Sequence, residues 1–364
     1  MLSNSYIANA IPRELWDIYS GFESDMILAF AEIVGSLMLG DTFTFAQYQE
    51  AHAAMRERLS SLGADVWPRT QSELSKIMKE AAEKHLAGAE SIFLAGVANG
   101  LLNPAPPLAE SIVMNMALAR NYQAAISDLY TLYTRAMNVP LEALDNAFFG
   151  VQSGALSVQE AIKSTVSDLA ERGIGTAMYP GQRTMELSAY VRMVTRTSVL
   201  QSTSELGFLR MDEYGCDLLV VSAHAGARPR CFPFQGRVFS RSGTHPKFPP
   251  WSSTSYGEPA GLLGINCGHF VSPFIDGLSR MPTQEERDPA KHDLGEDNAE
   301  WYKLSQEQRY NERKIRDWKR RADALEEAGV DNSRASAKVR EWQATQRELI
   351  EASGRTRRYD REAA

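Results

Sequence analysis

Residues Cys216–Gly243 read CDLLVVSAHAGARPRCFPFQGRVFSRSG, and this stretch decides the class of fold. It opens with a short apolar, β-branched run, CDLLVVSA, and closes with a second run, GRVFSRS, both of which favour β-strands. A third strand-like run, INCGHFVSPF, occupies residues 265–274. The segments between these runs are rich in Gly, Pro and Ser, which is typical of loops. We therefore predict a small, loop-rich β core over residues 216–280.

The remainder of the chain predicts helices, so the fold class is α+β and mainly α. Residues 1–150 form a helical N-terminal region, interrupted by the proline-rich linker NPAPPLAE at Asn103–Glu110. One helix in this region is expected to stop at Gly63, because glycine is a common residue at helix ends. Residues 151–215 predict shorter helices that lead into the β core. One of these begins with a capping box formed by Ser157 and Glu160.

Residues 281–364 predict a C-terminal antiparallel helical hairpin. Its first helix is expected to begin at a cap on Ser305, and Gly329 separates it from the second. The tail RTRRYDREAA is expected to fray. Because a β core of about sixty residues is small, we expect it to need either packing against these helices or a bound metal.

Composition excludes some classes of function. A net charge of -7 over 364 residues argues against a general coat for nucleic acid, which needs excess Lys and Arg. The most apolar stretch, Met26–Gly40, is too short to span a bilayer and contains Glu32, so it predicts a core or interface helix and no membrane contact. Three cysteines do not suggest a disulfide framework, which indicates folding in a reducing cytosol.

Cysteine and histidine are rare in this chain and are concentrated in the β core. Zinc is commonly bound by such thiolates and imidazoles, and the candidate ligands are His224, Cys231, Cys267 and His269. The Cys-x-His spacing is tighter than in most zinc sites, but residues two apart on a strand share a face. The alternatives are that the cysteines are small buried residues and the histidines bind loop backbone, or that Cys and His form a nucleophile and base.

Arginines give the β core a local excess of positive charge. They suggest either contact with DNA or an acidic partner, or hydrogen bonds to loop carbonyls and carboxylates within the chain. No familiar phosphate-binding or catalytic motif accompanies them. The candidate contact residues are Arg196 on the preceding helix and Arg228, Arg230, Arg237 and Arg241 in the core.

Three segments resemble a known family. CDLLVVSAHAGARPRCFPFQGRVFSRSG, YGEPAGLLGINCGHFVSPFIDG and the C-terminal helices, preceded by the Arg196–Thr197 pair, are similar to the phage minor capsid protein 2 family. That family is in turn similar to MuF-like head-morphogenesis proteins of tailed bacteriophages. The family pattern often has His where this chain has Cys231, and both residue types bind zinc.

The resemblance implies a structural minor capsid protein, assembled in the host cytoplasm and located in the virion head. Its implied partners are the portal, the major capsid protein or copies of itself, with non-specific contact to packaged DNA. The surfaces expected to make these contacts are Met26–Gly40 and the C-terminal hairpin. The resemblance implies no catalytic residue, and the structural zinc ion is suggested by the Cys and His residues themselves. The alternatives are a metal- or Cys-dependent hydrolase centred on the four ligand residues, and an internal DNA-associated virion protein.

Overall fold

The computed structural model describes residues 13–39, 42–108, 111–179, 183–295 and 297–363. Helices make up 69% of it, and the sheet at its β core has three strands, so the mainly α, α+β prediction is confirmed. The helices are α1 Arg13–Gly35, α2 Phe45–Ala98, α3 Ile112–Ala136, α4 Val139–Gln152, α5 Val158–Arg172, α6 Leu187–Tyr214, α7 Gln284–Arg287, α8 Pro289–Leu294, α9 Asn298–Glu327 and α10 Ser333–Ser353. The strands are β1 Gly175–Tyr179, β2 Arg183–Glu186, β3 Leu218–Val221, β4 Val238–Ser240 and β5 Val271–Pro273.

The three strands of the β core match the three runs that sequence predicted. They pair antiparallel in the order β4-β3-β5, with Leu219 opposite Phe239 on one side and Pro273 on the other. Proline cannot donate a ladder hydrogen bond, so its position on a strand at the edge of this sheet is the expected one. Each strand is only three or four residues long. Such short strands need support from the surrounding loops and helices.

Helices α2 and α6 supply that support. Phe93 of α2 and Tyr214 of α6 stack with ring centroids 4.6 Å apart and join the same apolar cluster as Leu219 and Phe239. Fully buried Arg210 of α6 donates hydrogen bonds to Glu90 of α2 at 3.0 Å and 2.5 Å. A buried charge persists only when it is paired in this way. The two helices are therefore joined by both apolar packing and an ion pair.

The chain divides into two compact units. One contains Ser72–Ser127 and Arg192–Ser305, and the other contains Leu15–Gln71, Asp128–Val191 and Gln306–Ala364. The β core lies wholly in the first unit. In the part of the chain described, no helix combines the length and apolar character needed to cross a membrane.

The second unit is organised around a buried cluster of charges. Glu23 of α1 accepts hydrogen bonds from Ile174 N at 2.8 Å and from Ser188 Oγ at 2.8 Å, and lies 3.8 Å from Arg320 of α9. Arg320 also pairs with Glu186 at 3.2 Å. Burial raises the pKa of Glu23, although Arg320 acts against that rise. We infer that this cluster fixes the positions of α1, the start of α6 and α9 within the unit.

Several helix boundaries were predicted correctly. Helix α5 begins with the reciprocal capping box of Ser157 and Glu160, and the helical pattern is interrupted at the proline-rich linker, between α2 and α3. Helix α9 was expected to begin at Ser305 but begins at Asn298, so Ser305 lies inside it. The β1–β2 hairpin was not predicted.

The predicted helix end at Gly63 was wrong. Helix α2 continues through this residue to Ala98. A Cβ on Gly63 would collide with the Oη atom of Tyr133, on α3. The lack of a side chain at Gly63 lets Tyr133 of α3 approach α2 closely, whereas sequence alone suggested a helix end.

Two further expectations about surfaces were wrong. Met26–Gly40 was predicted as a core or interface helix, and the core prediction is confirmed: the side chains of Met26, Ile27, Phe30 and Val34 are buried, so their face is not an exposed interface. Gly40 lies outside the described residues. The C-terminal tail does not fray over its described part. Arg316 Nη1 donates to Arg361 O at 2.7 Å, and Glu362 is buried. The tail is held by hydrogen bonds from α9 that no local pattern reveals.

Candidate functional site

The four predicted ligand residues follow or precede the short strands of the β core. His224 lies just beyond β3, Cys231 comes directly before a 3₁₀ turn at Phe232–Phe234, and Cys267 and His269 come before β5. The backbone N of Ser222 donates to Phe270 O at 2.9 Å, which joins the chain after β3 to the chain before β5. This bond continues the β3–β5 pairing and brings the two histidine-bearing segments side by side.

Three of the four ligand residues form one buried cluster. The Sγ atoms of Cys231 and Cys267 and a ring nitrogen of His269 all lie within 4.8 Å of one another. Cys267 Sγ is 3.6 Å from His269 Nδ1, and the backbone N of His269 donates to the same sulfur at 3.4 Å. All three side chains are buried. The predicted convergence of Cys267 and His269 therefore occurs, but on backbone that precedes the strand and is not part of it.

Gln235 fixes the orientation of His269. Its Nε2 donates to Arg287 O at 2.7 Å, so its Oε1 is the acceptor that faces His269 Nε2 at 3.1 Å. The same oxygen accepts from His224 N at 3.2 Å. Since His269 Nε2 carries the proton, its Nδ1 presents a lone pair toward the two sulfurs. Gln235 therefore sets the tautomer as well as the position of the imidazole.

His224 stands next to this cluster with a nitrogen that has no partner. Its ring centroid is 4.5 Å from that of His269. Its Nδ1 donates to Ala225 O at 3.1 Å, while its Nε2 is buried and has no hydrogen-bond partner in the described part of the chain. Burial and the neighbouring His269 lower the pKa of His224 to about 4. The imidazole is therefore neutral near pH 7, with a free lone pair on Nε2.

Glycine between the two ligands makes room for His224. A Cβ at Gly268 would lie 2.7 Å from His224 Nε2 and 3.4 Å from a guanidinium nitrogen of Arg196. A side chain at this position would push the His224 ring away from the cluster. The Cys-Gly-His order therefore suits a site in which both histidines approach the sulfurs.

The cysteines differ in their surroundings. A hydrogen bond between Cys231 and Cys267 raises the pKa of Cys231 and lowers that of Cys267, which His269 lowers further. Cys216 is separate from this pair. Its Sγ lies 3.6 Å from Leu218 O, and burial raises its pKa to about 11. The core thus contains one clustered thiol pair, in which Cys267 has the lowered pKa, and one separate thiol, Cys216, whose pKa is raised.

The arrangement is less well suited to nucleophilic catalysis. A Cys and His pair is present, but a supporting acid is needed to orient the base. Asp217, the one Asp of residues 216–250, accepts hydrogen bonds from Ser240 Oγ and Ser242 N, both at 2.6 Å. His269 is oriented by the neutral amide of Gln235. The geometry therefore favours binding of a soft metal ion over acid–base chemistry.

Arginines of the β core bind partners within the chain. Arg228 donates to the carbonyl oxygens of Ala260 and Ile265, both at 3.0 Å, and so holds the loop before Cys267. Arg230 pairs with Glu258. These contacts are those of loop-organising residues.

The other two core arginines differ from each other. Arg241 pairs with Asp212 at 2.6 Å and lies over the ring of Phe208, 5.0 Å from its centroid. Arg237 is exposed. Of the four core arginines, Arg237 thus remains the best placed to contact a partner molecule.

Sequence reasoning missed two buried amides that position the site. One is Gln235, which orients His269. The other is Asn298, at the start of α9, which accepts from Ala227 N and donates to Ala227 O, both at 2.9 Å. This paired contact holds the loop that carries His224. The only signal in the sequence would have been a polar residue next to a motif, which is too weak to identify such a contact.

The chain is similar to structural proteins of phages, both by family model and by comparison with single relatives. A family model described as phage minor capsid protein 2 matches residues 3–351. A structural protein of Lactococcus phage LL-H is 31% identical over 239 residues, which cover 63% of this chain and 62% of the relative. A structural protein of Lactococcus phage mv4 is 37% identical over 123 residues, which cover 32% of this chain and 93% of the relative. The match thus spans less than two thirds of the first relative, and no solved structure matches.

Proposed function

We propose that this chain, which belongs to the phage minor capsid protein 2 family, is a structural component of the phage head that acts in head assembly. The observation that carries the proposal is the extent of the family match, from residue 3 to residue 351. The relatives from phages LL-H and mv4 are both described as structural proteins, which supports the same conclusion. We place the protein in the virion, assembled in the host cytoplasm, with portal or major capsid subunits or its own copies as partners.

An exposed apolar surface supports a role in binding other subunits. The first two turns of α3 present Ile112, Val113 and Met116 with 72%, 56% and 67% of their surfaces exposed. Helices on a protein surface normally turn their apolar residues inward. Neighbouring large apolar residues that remain exposed mark sites of protein contact. We name these three residues the α3 patch and propose it as an assembly contact, in place of Met26–Gly40, where Met26, Ile27, Phe30 and Val34 are buried.

The internal contacts of the core arginines favour this role over DNA binding. Affinity for DNA comes from Lys and Arg side chains that are available to neutralise phosphates. Arg228, Arg230 and Arg241 instead bind carbonyl or carboxylate oxygens of the chain. Retention on duplex DNA at low salt would favour the internal DNA-associated alternative.

The proposed role can be tested by binding between purified subunits. The chain is mixed separately with portal and with major capsid protein from its own phage, and its self-association is measured by analytical ultracentrifugation. We expect one of these three associations for the wild type and its loss in Met116→Glu. Phe149→Glu is the matched control, because Phe149 is 65% exposed but lies on α4. Equal binding by both variants would refute the α3 patch, and no association in any mixture would refute the assembly role.

A further inference from the structure

We propose that Cys231, Cys267, His269 and His224 bind one zinc ion, which holds the short strands of the β core together. This inference does not depend on the role in head assembly. It rests on the clustered ligand atoms, on the orientation of His269 and on the unpartnered nitrogen of His224. Together these four residues supply two thiolates and two imidazoles, a ligand set typical of structural zinc.

The spacing of the ligand atoms fits the dimensions of a zinc site. Zn–S and Zn–N bonds of about 2.3 and 2.0–2.1 Å at a tetrahedral angle place sulfur and nitrogen about 3.6 Å apart. The separation between Cys267 Sγ and His269 Nδ1 is 3.6 Å. Cys231 Sγ lies within 4.8 Å of Cys267 Sγ and of a ring nitrogen of His269. The three side chains are therefore close enough together to bind one ion.

The surroundings of His269 are those of a metal ligand. A histidine that binds a metal through one nitrogen almost always donates its other N–H to an oxygen that fixes the ring. Gln235 Oε1 provides this oxygen for His269 Nε2, at 3.1 Å. Gln235 is itself buried and held by Arg287 O. Nδ1 is thereby directed at the two sulfurs as a lone-pair donor.

His224 supplies the fourth ligand. Its Nδ1–H is bound to Ala225 O, and its buried Nε2 has no other partner in the described residues, which is a costly arrangement unless something binds there. The ring lies beside that of His269, tilted by 38°, and Gly268 has no side chain to fill the space next to Nε2. Because His224 lies outside the group of ligand atoms within 4.8 Å of one another, its ring must move toward the sulfurs to complete the four ligands.

Zinc bound by two thiolates and two imidazoles would leave no net charge in the buried site and would stabilise the β core. The two thiols release their protons to solvent, and the resulting thiolates neutralise Zn²⁺, so the buried site carries no net charge. The ligands come from the chain after β3, from the turn before Phe232 and from the chain before β5. One ion thereby joins the three segments that strands of three or four residues hold only weakly.

Metal analysis of the purified full-length chain tests the proposal. We expect one zinc per chain in the wild type and in Cys216→Ser, the matched control, because Cys216 is equally buried but lies outside the cluster. Cys231→Ser should hold less than about a tenth of that amount. Gln235→Ala should retain the site with about 10- to 100-fold weaker affinity, since it removes the oxygen that orients His269 and accepts from His224 N but removes no metal ligand.

Measurements on the wild type keep the test decisive if Cys231→Ser fails to fold. Removal of zinc with a chelator should lower the thermal midpoint, and added Zn²⁺ should restore it. Added Co²⁺ should give tetrahedral visible bands and a thiolate charge-transfer band, and the tetrahedral bands should weaken in His224→Ala. Wild-type protein that binds neither ion, or that is two hydrogens lighter because Cys231 and Cys267 form a disulfide, would overturn the proposal. An unchanged cobalt spectrum in His224→Ala would overturn the assignment of the fourth ligand.

Discussion

Replacing Arg320 with Met should strongly destabilise the second unit. Arg320 is buried and lies 3.2 Å from Glu186 and 3.8 Å from Glu23. At an effective dielectric constant of about 20, opposite charges 3.2 Å apart attract by about 5 kcal/mol. The cost of burying the guanidinium offsets part of this attraction. Arg320→Met removes the cation beside Glu23 and leaves Glu186 with Arg316 alone, so we expect a loss of about 3–5 kcal/mol in the free energy of unfolding.

The neighbouring residue offers a matched control. Arg321 lies on the same helix and pairs with Glu171 at 3.0 Å, but 25% and 50% of the two side chains are exposed. Exposed pairs contribute about 0.2–1 kcal/mol, so Arg321→Met should cost about 1 kcal/mol or less. Urea unfolding read by pulsed hydrogen exchange, with peptides from α1 and α9, measures the second unit separately from the β core. Equal losses for the two variants would refute the conclusion that the buried cluster organises this unit.

Three further outcomes follow from particular contacts, each measured by urea unfolding of the second unit. Ser157→Ala removes the side-chain acceptor of the α5 capping box and should cost about 1 kcal/mol; no change would mean that the cap is not needed. Gly63→Ala should destabilise the wild type through its collision with the Tyr133 hydroxyl but stabilise a Tyr133→Phe background by up to about 1 kcal/mol, and destabilisation in both would contradict this explanation. Burial alone would raise the pKa of Glu186, but the two arginines beside it outweigh burial and lower the pKa to about 2. The wild type should therefore exceed Glu186→Gln in unfolding free energy by its full amount above about pH 4.3, the ordinary pKa of Glu, and by less as the pH falls toward 2. A difference that stays constant over this range would contradict the lowered pKa of Glu186.

Local patterns in the sequence were sufficient for the parts of the fold that local physics decides. The β-branched run at Leu218–Val221 forms the central strand of its sheet, and Ser157 caps its helix. The rarity of Cys and His was enough to select His224, Cys231, Cys267 and His269 as a group. The last three form one cluster, and His224 lies beside it. In each case the deciding signal lies within a few residues or in the composition.

Contacts between distant residues account for what sequence could not show. Gly63 has the appearance of a helix end because the side chain that requires it, Tyr133, lies far along the chain. Glu23 and Arg320 are charged residues that normally lie on the surface, and only the folded structure shows that they are buried together. The role of Gln235 likewise depends on His269 and Arg287 meeting it in space. None of these partners is visible in a local window of sequence.

The proposed function makes this chain a permanent structural component of the phage head. Quantitative mass spectrometry of purified particles, before and after the DNA has been expelled, can show whether it is. We expect the chain at a fixed ratio to portal and major capsid protein, and we expect that ratio to persist in washed, DNA-free particles. A chain found in the infected-cell lysate but absent from purified particles would contradict the claim.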